Sequence, residues 1–383
     1  MNTNSRSRKL MPLIVILFWF AQYVYIPYQT PFLTAIGVSA GTIGVIVGAY
    51  GISQMVMRLP VGLMADHVGK HKRFIIMGGL FAGVGSLFRV AMPNAAGFLI
   101  ANLFSGLASA MWISFMVCYT GFYAADRQQE GFSRIILYNN AGILAAFVFA
   151  TLVYERTSMQ LLCICSAVSG LTAAALACCM DSDNPTGKRP GIRELLPICL
   201  NKRLIFFALL ALVQQGIQMA TTMSFTNQVL KGLGATDGVV GMASIVYMIS
   251  SVSCAALAGT QFIIRMGPKR IVPFGFAAVV AYCVLVPVVG SVPAVVALQA
   301  LPGLATGLLL STLTSQAMVE VPAHQKSTAN GFYQAVYSLG MTVMPVFTGN
   351  IAAASGMTSA YFVLGGVAAL AVLISIAGMR KLK

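Results

Sequence analysis

Charge is what this sequence has least of. Only 9% of its 383 residues are Asp, Glu, Lys or Arg, where a soluble domain carries about a quarter. Hydrophobic residues make up 58%, and the mean hydropathy is +0.84. A water-soluble globule of this size could not cover its surface with so few charged groups. That excludes a cytosolic enzyme, a nucleic-acid-binding domain and a disordered chain. Acids are scarcest, nine against 24 Lys and Arg. The three histidines, His67, His71 and His324, fall in loops. Most of the eight cysteines lie inside apolar runs. Cys163 and Cys165 form a CxC and Cys178–Cys179 an adjacent pair, and nothing completes a zinc pattern. No metal site and no cofactor is implied. The GxxxxGK[ST] loop of an ATP-driven pump is missing. So are the His, Asp or Cys gathered at one depth that a membrane enzyme would need, and the appended soluble domain of a sensor.

What is there is a succession of apolar runs. They fall at about 11–36, 42–65, 74–92, 96–121, 133–154 and 158–180, then at 204–229, 238–264, 271–290, 294–318, 328–354 and 358–379. Each suffices for one crossing, which takes ~20 apolar residues. The prediction is an all-α polytopic membrane protein of twelve transmembrane helices, arranged as two pseudo-symmetric six-helix halves. The basic tail before the first run, with no small-residue cleavage site, reads as the lead-in to a first helix, not a removed signal peptide. Residues 1–180 form the N-terminal half, 181–203 a cytoplasmic linker and 204–383 the C-terminal half. The linker carries Pro185, Gly187, Pro190 and Gly191, and Ile192–Leu200 within it reads as a short surface helix broken at Pro197.

With both termini inside, most basic residues fall on cytoplasmic segments: Arg6, Arg8 and Lys9; Lys70, Lys72 and Arg73; Arg127 and Arg134; the linker; Arg265, Lys269 and Arg270; Lys326; and Arg380, Lys381 and Lys383. Arg89, Arg156 and Lys231 fall outside, and Arg58 lies in the cytoplasmic half of helix 2. That bias supports the count of twelve and this orientation and accounts for the net charge of +15. Arg58 and Arg89 are the most deeply placed basic residues and are expected to snorkel.

After helix 2 the chain reads Gly62-Leu63-Met64-Ala65-Asp66-His67-Val68-Gly69-Lys70-His71-Lys72-Arg73. A Gly, an Asp four residues later, a Gly three after that and a basic cluster resemble the signature loop of the major facilitator superfamily. The twelve spans and central linker carry the resemblance over the whole chain. It implies alternating access about a midplane site between the halves, a monomer, and a latch formed by Gly62, Asp66, Gly69, Lys70, Lys72 and Arg73. Asp66 would sit near the start of helix 11, about Ser327–Asn330, where the helix dipole favours an anion. The second half repeats the motif in part. Arg265-Met266-Gly267-Pro268-Lys269-Arg270 keeps the Gly and the basic residues, but Ile264 stands where the acid would be.

Two departures from the family pattern bear on substrate. Many members carry an Arg in helix 4, four residues before a Gly; with Gly106 as that Gly, the position is Asn102. Drug/proton antiporters carry a Gly-Pro-rich motif in helix 5, which here reads Tyr138-Asn139-Asn140-Ala141-Gly142 with no proline. None of the nine acids lies mid-membrane, where a carboxylate usually marks a proton relay. Glu320 and Asp66 are the nearest coupling candidates.

Amides, hydroxyls and rings cluster in the helices that would line a cavity. Helix 1 has Gln22, Tyr25 and Gln29 on one face, with Tyr28 beside them. Helix 4 adds Trp112, and helix 5 Asn139 and Asn140. Helix 7 carries Gln214 and Gln218, with Asn227 further out. Helix 10 has Thr306 and Ser311. Helix 11 has Asn330, Tyr333 and Tyr337, with Gln334 beside them. Interhelical hydrogen bonding would also use such residues. A cavity of this chemistry suits a neutral, zwitterionic or amphipathic small molecule. The expected function is secondary active transport of a small organic solute across a bacterial cytoplasmic membrane, by proton-coupled export of drugs or metabolites. The alternative is an uptake porter or symporter for a nutrient such as a sugar or amino acid. The expected partners are that substrate, protons and the lipid bilayer, with no nucleic acid.

Overall fold

The computed structural model describes residues 5–68, 70–123, 127–181, 192–258, 260, 265–322 and 325–381. These are helical with short connections, and no strand occurs among the described residues. The membrane-spanning helices are α1 (Arg6–Ala35), α2 (Ala40–Val68), α3 (His71–Ala91), α4 (Ala95–Thr120), α5 (Gln128–Tyr154), α6 (Met159–Cys178), α7 (Lys202–Gly232), α8 (Asp237–Ala258), α9 (Pro268–Leu285) and α10 (Val292–Ala317). A continuous stretch, Lys326–Lys381, follows. It is 56 residues long and breaks at Gly356, whose φ of +85° no helix accommodates, giving α11 (326–355) and α12 (357–381). Glycine takes this backbone conformation without the Cβ penalty other residues meet. Twelve crossings result, within a few residues of the apolar runs. In the linker, Ile192–Leu195 makes one helical turn and Leu196–Leu200 continues as a 3₁₀ turn over Pro197.

Among the described residues four spans are interrupted, and they are α1, α4, α7 and α10, the first helix of each successive group of three. In α1 the break falls at Val24 and Tyr25, because Pro27 has no N–H for the carbonyl of Tyr23. In α10 it falls at Gln299, and Pro302 likewise leaves the carbonyl of Leu298 without its donor. In α4 a turn at Met111 separates two helical pieces. In α7 residues Thr221–Phe225 form a π-turn, where the Thr221 hydroxyl donates to the carbonyl of Ile217 at 2.7 Å. Such turns are frequent at functional sites.

The two halves meet where α2 runs antiparallel to α11, α5 meets α8, and α1 meets α7. The α2–α11 seam is the longest. A Cβ on Gly44 would lie 2.4 Å from the carbonyl oxygen of Pro345, and one on Gly48 would lie 2.7 Å from that of Thr342. Only glycine lets the two backbones come this close, as in other small-residue membrane interfaces. The described chain ends, near Arg6 and Lys381, and the linker turns at 192–200 share one face of the bundle, the termini face. The connections 36–39, 92–94, 155–158, 233–236, 286–291 and 356 lie on the opposite face.

Candidate functional site

The polar residues of α2 form a stripe along its inner face. Tyr50, Gln54 and Arg58 are four residues apart, so they stack on one side of the helix. They converge on Ser109 of α4. Its hydroxyl accepts from Tyr50 Oη at 2.8 Å, from Gln54 Nε2 at 2.7 Å and from Arg58 Nη2 at 3.3 Å. Ser338 of α11 donates to Gln54 Oε1, so the network joins the two halves. Arg58 is buried, and its Nε and Nη1 have no hydrogen-bond partner. A buried guanidinium without a counter-charge is costly, and an anionic group reaching it would be bound strongly. Tyr337 lies within electrostatic reach of Arg58, and Tyr23 within reach of Tyr25, Tyr50, Tyr247 and Tyr337. Tyr23 of α1, Tyr50 of α2, Tyr247 of α8 and Tyr337 of α11 are therefore near enough to influence one another.

The C-terminal half contributes amides. Gln214 Nε2 donates to Gln218 Oε1 and to Thr306 Oγ1, both at 3.2 Å, and Gln218 Nε2 donates to the Tyr247 hydroxyl. Gln214 Oε1 is buried without a partner. Beside these residues, Thr221 and Tyr282 help to line a void of about 10 Å³, enough for one water molecule.

The N-terminal half holds a second buried cation. Arg89 donates to Ser86 Oγ at 3.0 Å, to Asn102 Oδ1 at 2.7 Å and to Ser105 Oγ at 2.9 Å, and sits 3.7 Å over the Tyr25 ring. Asn102 and Ser105 come from α4, and Asn102 also donates to the carbonyl of Ile46. The expectation that Arg58 and Arg89 snorkel fails. They are 2% and 1% exposed, because helix neighbours supply hydroxyls and amides where water would otherwise be needed. At Asn102, the position where the family resemblance leads one to expect an Arg, the guanidinium arrives from α3 instead.

On the opposite face the halves are tied together. The hydroxyls of Thr30 and Ser224 lie 2.9 Å apart, and Asn227 donates to the carbonyl of Pro27 at 2.9 Å. Tyr28 donates to the carbonyl of Asp237 at 3.0 Å and stacks on Tyr154 at 3.9 Å. Glu155, at the end of α5, accepts from the backbone N–H of Gly238 at 2.7 Å, and Asp237 pairs with Lys231 at 2.6 Å. A carboxylate at the first turn of α8 meets free N–H groups and the positive end of the helix.

The sequence-predicted cavity residues take several different places. Gln218 and Tyr337 are half-buried at the interface between the halves, and Gln214 is buried beside Gln218. Gln22, Tyr25 and Trp112 are committed inside the N-terminal half. Gln22 donates to the carbonyl of Ser105 at 2.8 Å, Tyr25 bonds the Ser105 hydroxyl, and Trp112 packs edge-on to Trp19. Gln29 is buried with its Oε1 unpartnered. Asn139 and Asn140 are half-buried. Asn330 accepts from Gln334 at 3.1 Å, and Tyr333 accepts from Thr314 at 3.2 Å. Thr306 bonds Gln214, and Ser311 bonds its own helix.

The latch residues are described in part. Gly69 and the side chain of Asp66 lie outside the described residues. Gly62 is buried, and a Cβ on Gly331 at the start of α11 would lie 3.6 Å from its Cα. Lys72 donates to the carbonyl of Met180 at 2.5 Å, while Lys70 and Arg73 are exposed. Glu320 is exposed and pairs with Arg203 at 3.5 Å, within one half. Tyr50, Gln54, Ser109, Ser338, Tyr23 and Tyr247 are interface residues that sequence reasoning missed. The four-residue spacing of Tyr50, Gln54 and Arg58 in an apolar run was the available signal.

The family model for the Major Facilitator Superfamily matches residues 12–259 and 207–381. An uncharacterized MFS-type transporter of Mycobacterium tuberculosis is 23% identical over 94% of this chain and 89% of its own length. One from Methanocaldococcus jannaschii is 34% identical over 84 residues, 22% of each chain. Among solved structures, the nucleoside transporter NupG (D323A mutant) superposes with a TM-score of 0.78 at 15% identity, covering 97% of this chain and 99% of that one. A bacterial homolog of the human lysosomal transporter Spinster, inward-facing and occupied, gives 0.74 at 12% identity, covering 98% and 97%. At these identities the likeness is one of fold.

Proposed function

The chain belongs to the major facilitator superfamily, and from that premise we propose that it exports a small organic solute, a drug or metabolite, in exchange for protons. It is a transporter, not an enzyme. The termini face is the cytoplasmic side, as the basic residues favour, and the membrane is a bacterial cytoplasmic membrane. Residues 1–180 and 204–383 rock as two bodies joined by 181–203, and the monomer is the working unit.

One observation carries the reading of the site. The Tyr50–Gln54–Arg58–Ser109 network of one half is joined to Ser338 of the other, with two guanidinium nitrogens of Arg58 left unpartnered. A solute placed there meets tyrosine rings from both halves, the amides Gln214 and Gln218, and one cation. The solute class is an aromatic or amphipathic molecule with one anionic group, zwitterions included. Binding energy spent on bonds to both halves holds the halves together, so occupancy favours the intermediate between the two open states. Protons couple through acids at the membrane boundary, Asp66, Glu320 or the outer-gate Glu155, since none of the nine acids lies mid-membrane. The glutamines also support a second reading, uptake of a hydroxylated or zwitterionic nutrient.

The test is reconstitution. Purified protein is placed in proteoliposomes with an imposed pH gradient, and a panel of aromatic acids, drugs, sugars, nucleosides and amino acids is added. Export predicts that a panel compound dissipates the gradient in wild type and fails to do so in Arg58→Gln and Asp66→Asn. Uptake of labelled nutrient with the gradient untouched would replace export by the second reading.

A further inference from the structure

Arg89 has a second peculiarity besides its burial. It forms the floor of a cavity of about 320 Å³ that opens on the opposite face, wholly within the N-terminal half. Phe32 and Phe98 give it apolar walls, and Ser158 and Gln160 stand at the mouth. No acid lines the cavity. Arg89 Nε is buried without a hydrogen-bond partner, and the partners of its other nitrogens are the neutral Ser86, Asn102 and Ser105. The charge is thus oriented but not neutralised. Two helices, α4 and α6, begin beside the cavity, at Ala95 and Met159. Their N-terminal ends add positive potential to that of the guanidinium.

We propose that this cavity is a second binding site, separate from the central one, for an anionic oxygen group (carboxylate or phosphate) carried on an apolar body. Its volume is at the small end of the ligand-site range, ~300–1,000 Å³, so the occupant is of metabolite size or is the headgroup region of a lipid. Because it lies inside one half, its occupant does not need to cross between the halves, and its role is regulatory. The route is short. Ser105, which Arg89 holds, also binds Tyr25 and Gln22 at the interruption of α1, and Tyr28 three residues on closes the outer face.

The experiment measures thermal stability of the purified full-length protein against three probes. These are benzoate and inorganic phosphate in lipid-stripped detergent, and nanodiscs of phosphatidylglycerol against phosphatidylcholine. The expected result is saturable stabilisation by at least one anionic probe. Affinity falls by about tenfold or more in Arg89→Gln, as for a lost bond to a charged group, and is retained in Arg58→Gln. Stabilisation by benzoate or phosphate identifies a soluble acid as the source, and stabilisation only by phosphatidylglycerol identifies a lipid. Should Arg89→Gln not fold, Gln160→Trp, which fills the mouth and leaves Arg89 in place, must abolish the effect. No saturable stabilisation by any probe, or stabilisation that survives Gln160→Trp, overturns the proposal. Loss in Arg58→Gln alone would move the anion to the central site and leave the cavity without a role.

Discussion

The hydroxyls of Thr30 in α1 and Ser224 in α7 lie 2.9 Å apart, one from each half, with Thr30 five residues beyond the break in α1 and Ser224 inside the π-turn of α7. Both residues are buried. The contact closes one side of the molecule while the central network lies deeper along α2. In an alternating-access cycle it must break once per turnover. A Thr30→Cys/Ser224→Cys double variant should therefore cross-link under copper phenanthroline and lose transport, with activity restored by dithiothreitol. Each single variant should remain active under the same oxidant, measured by proteoliposome flux.

Small-residue contact along the α2–α11 seam makes a second prediction. Gly48 faces the carbonyl of Thr342 with no room for a Cβ. Gly48→Leu should force the helices apart, at a cost of about 1–3 kcal/mol typical of overpacking. Thermal unfolding in detergent should shift downward, and the Thr30→Cys/Ser224→Cys cross-link should form more slowly in that background. Gly366, with nothing near its Cβ position, is the control, and Gly366→Ala should leave both readouts unchanged.

The spans were legible because a membrane helix needs an apolar run about twenty residues long, and little else in the chain imitates one. The Gly356 boundary between α11 and α12 was legible too, as a short gap between two such runs. The site was harder to read. Tyr333 and Tyr337 share a face of α11, yet Tyr333 is held by Thr314 of α10 while Tyr337 reaches the interface. That division depends on which helix packs where. From sequence, Arg89 is expected to snorkel, as a deeply placed basic residue near the end of an apolar run. Its partners Asn102 and Ser105 lie on another helix, so nothing local announced that its charge turns inward.

The face opposite the termini carries a third prediction. Glu155 accepts from the Gly238 N–H at 2.7 Å across the two halves, at the start of α8. As a carboxylate it makes a charge-assisted bond, about twice as strong as a neutral one. Glu155→Gln keeps an acceptor but fixes the neutral form. If Glu155 couples protons, this variant should retain substrate exchange between equal concentrations and lose gradient-driven flux. Glu155→Ala should also slow exchange. Unchanged proton flux in Glu155→Gln would pass the coupling role to Asp66 or Glu320.

The remaining prediction concerns Arg58. Its Nη2 is held by Ser109 at 3.3 Å, while Nε and Nη1 are buried and unpartnered, so under the proposed reading these two donors are left for a substrate oxygen. Removing a hydrogen bond to a charged group costs about 1.5–3 kcal/mol, or roughly ten- to hundredfold in affinity. Arg58→Gln should weaken binding of an anionic substrate by that factor while sparing a neutral analogue. Arg58→Lys keeps the charge but not the planar fork, so it should recover only part of the affinity. A structural role predicts something different, equal losses for charged and neutral ligands and a lowered unfolding temperature in both variants. Titrating each ligand by calorimetry against wild type, Arg58→Gln and Arg58→Lys separates the two, because only a direct contact makes the loss depend on the ligand's charge.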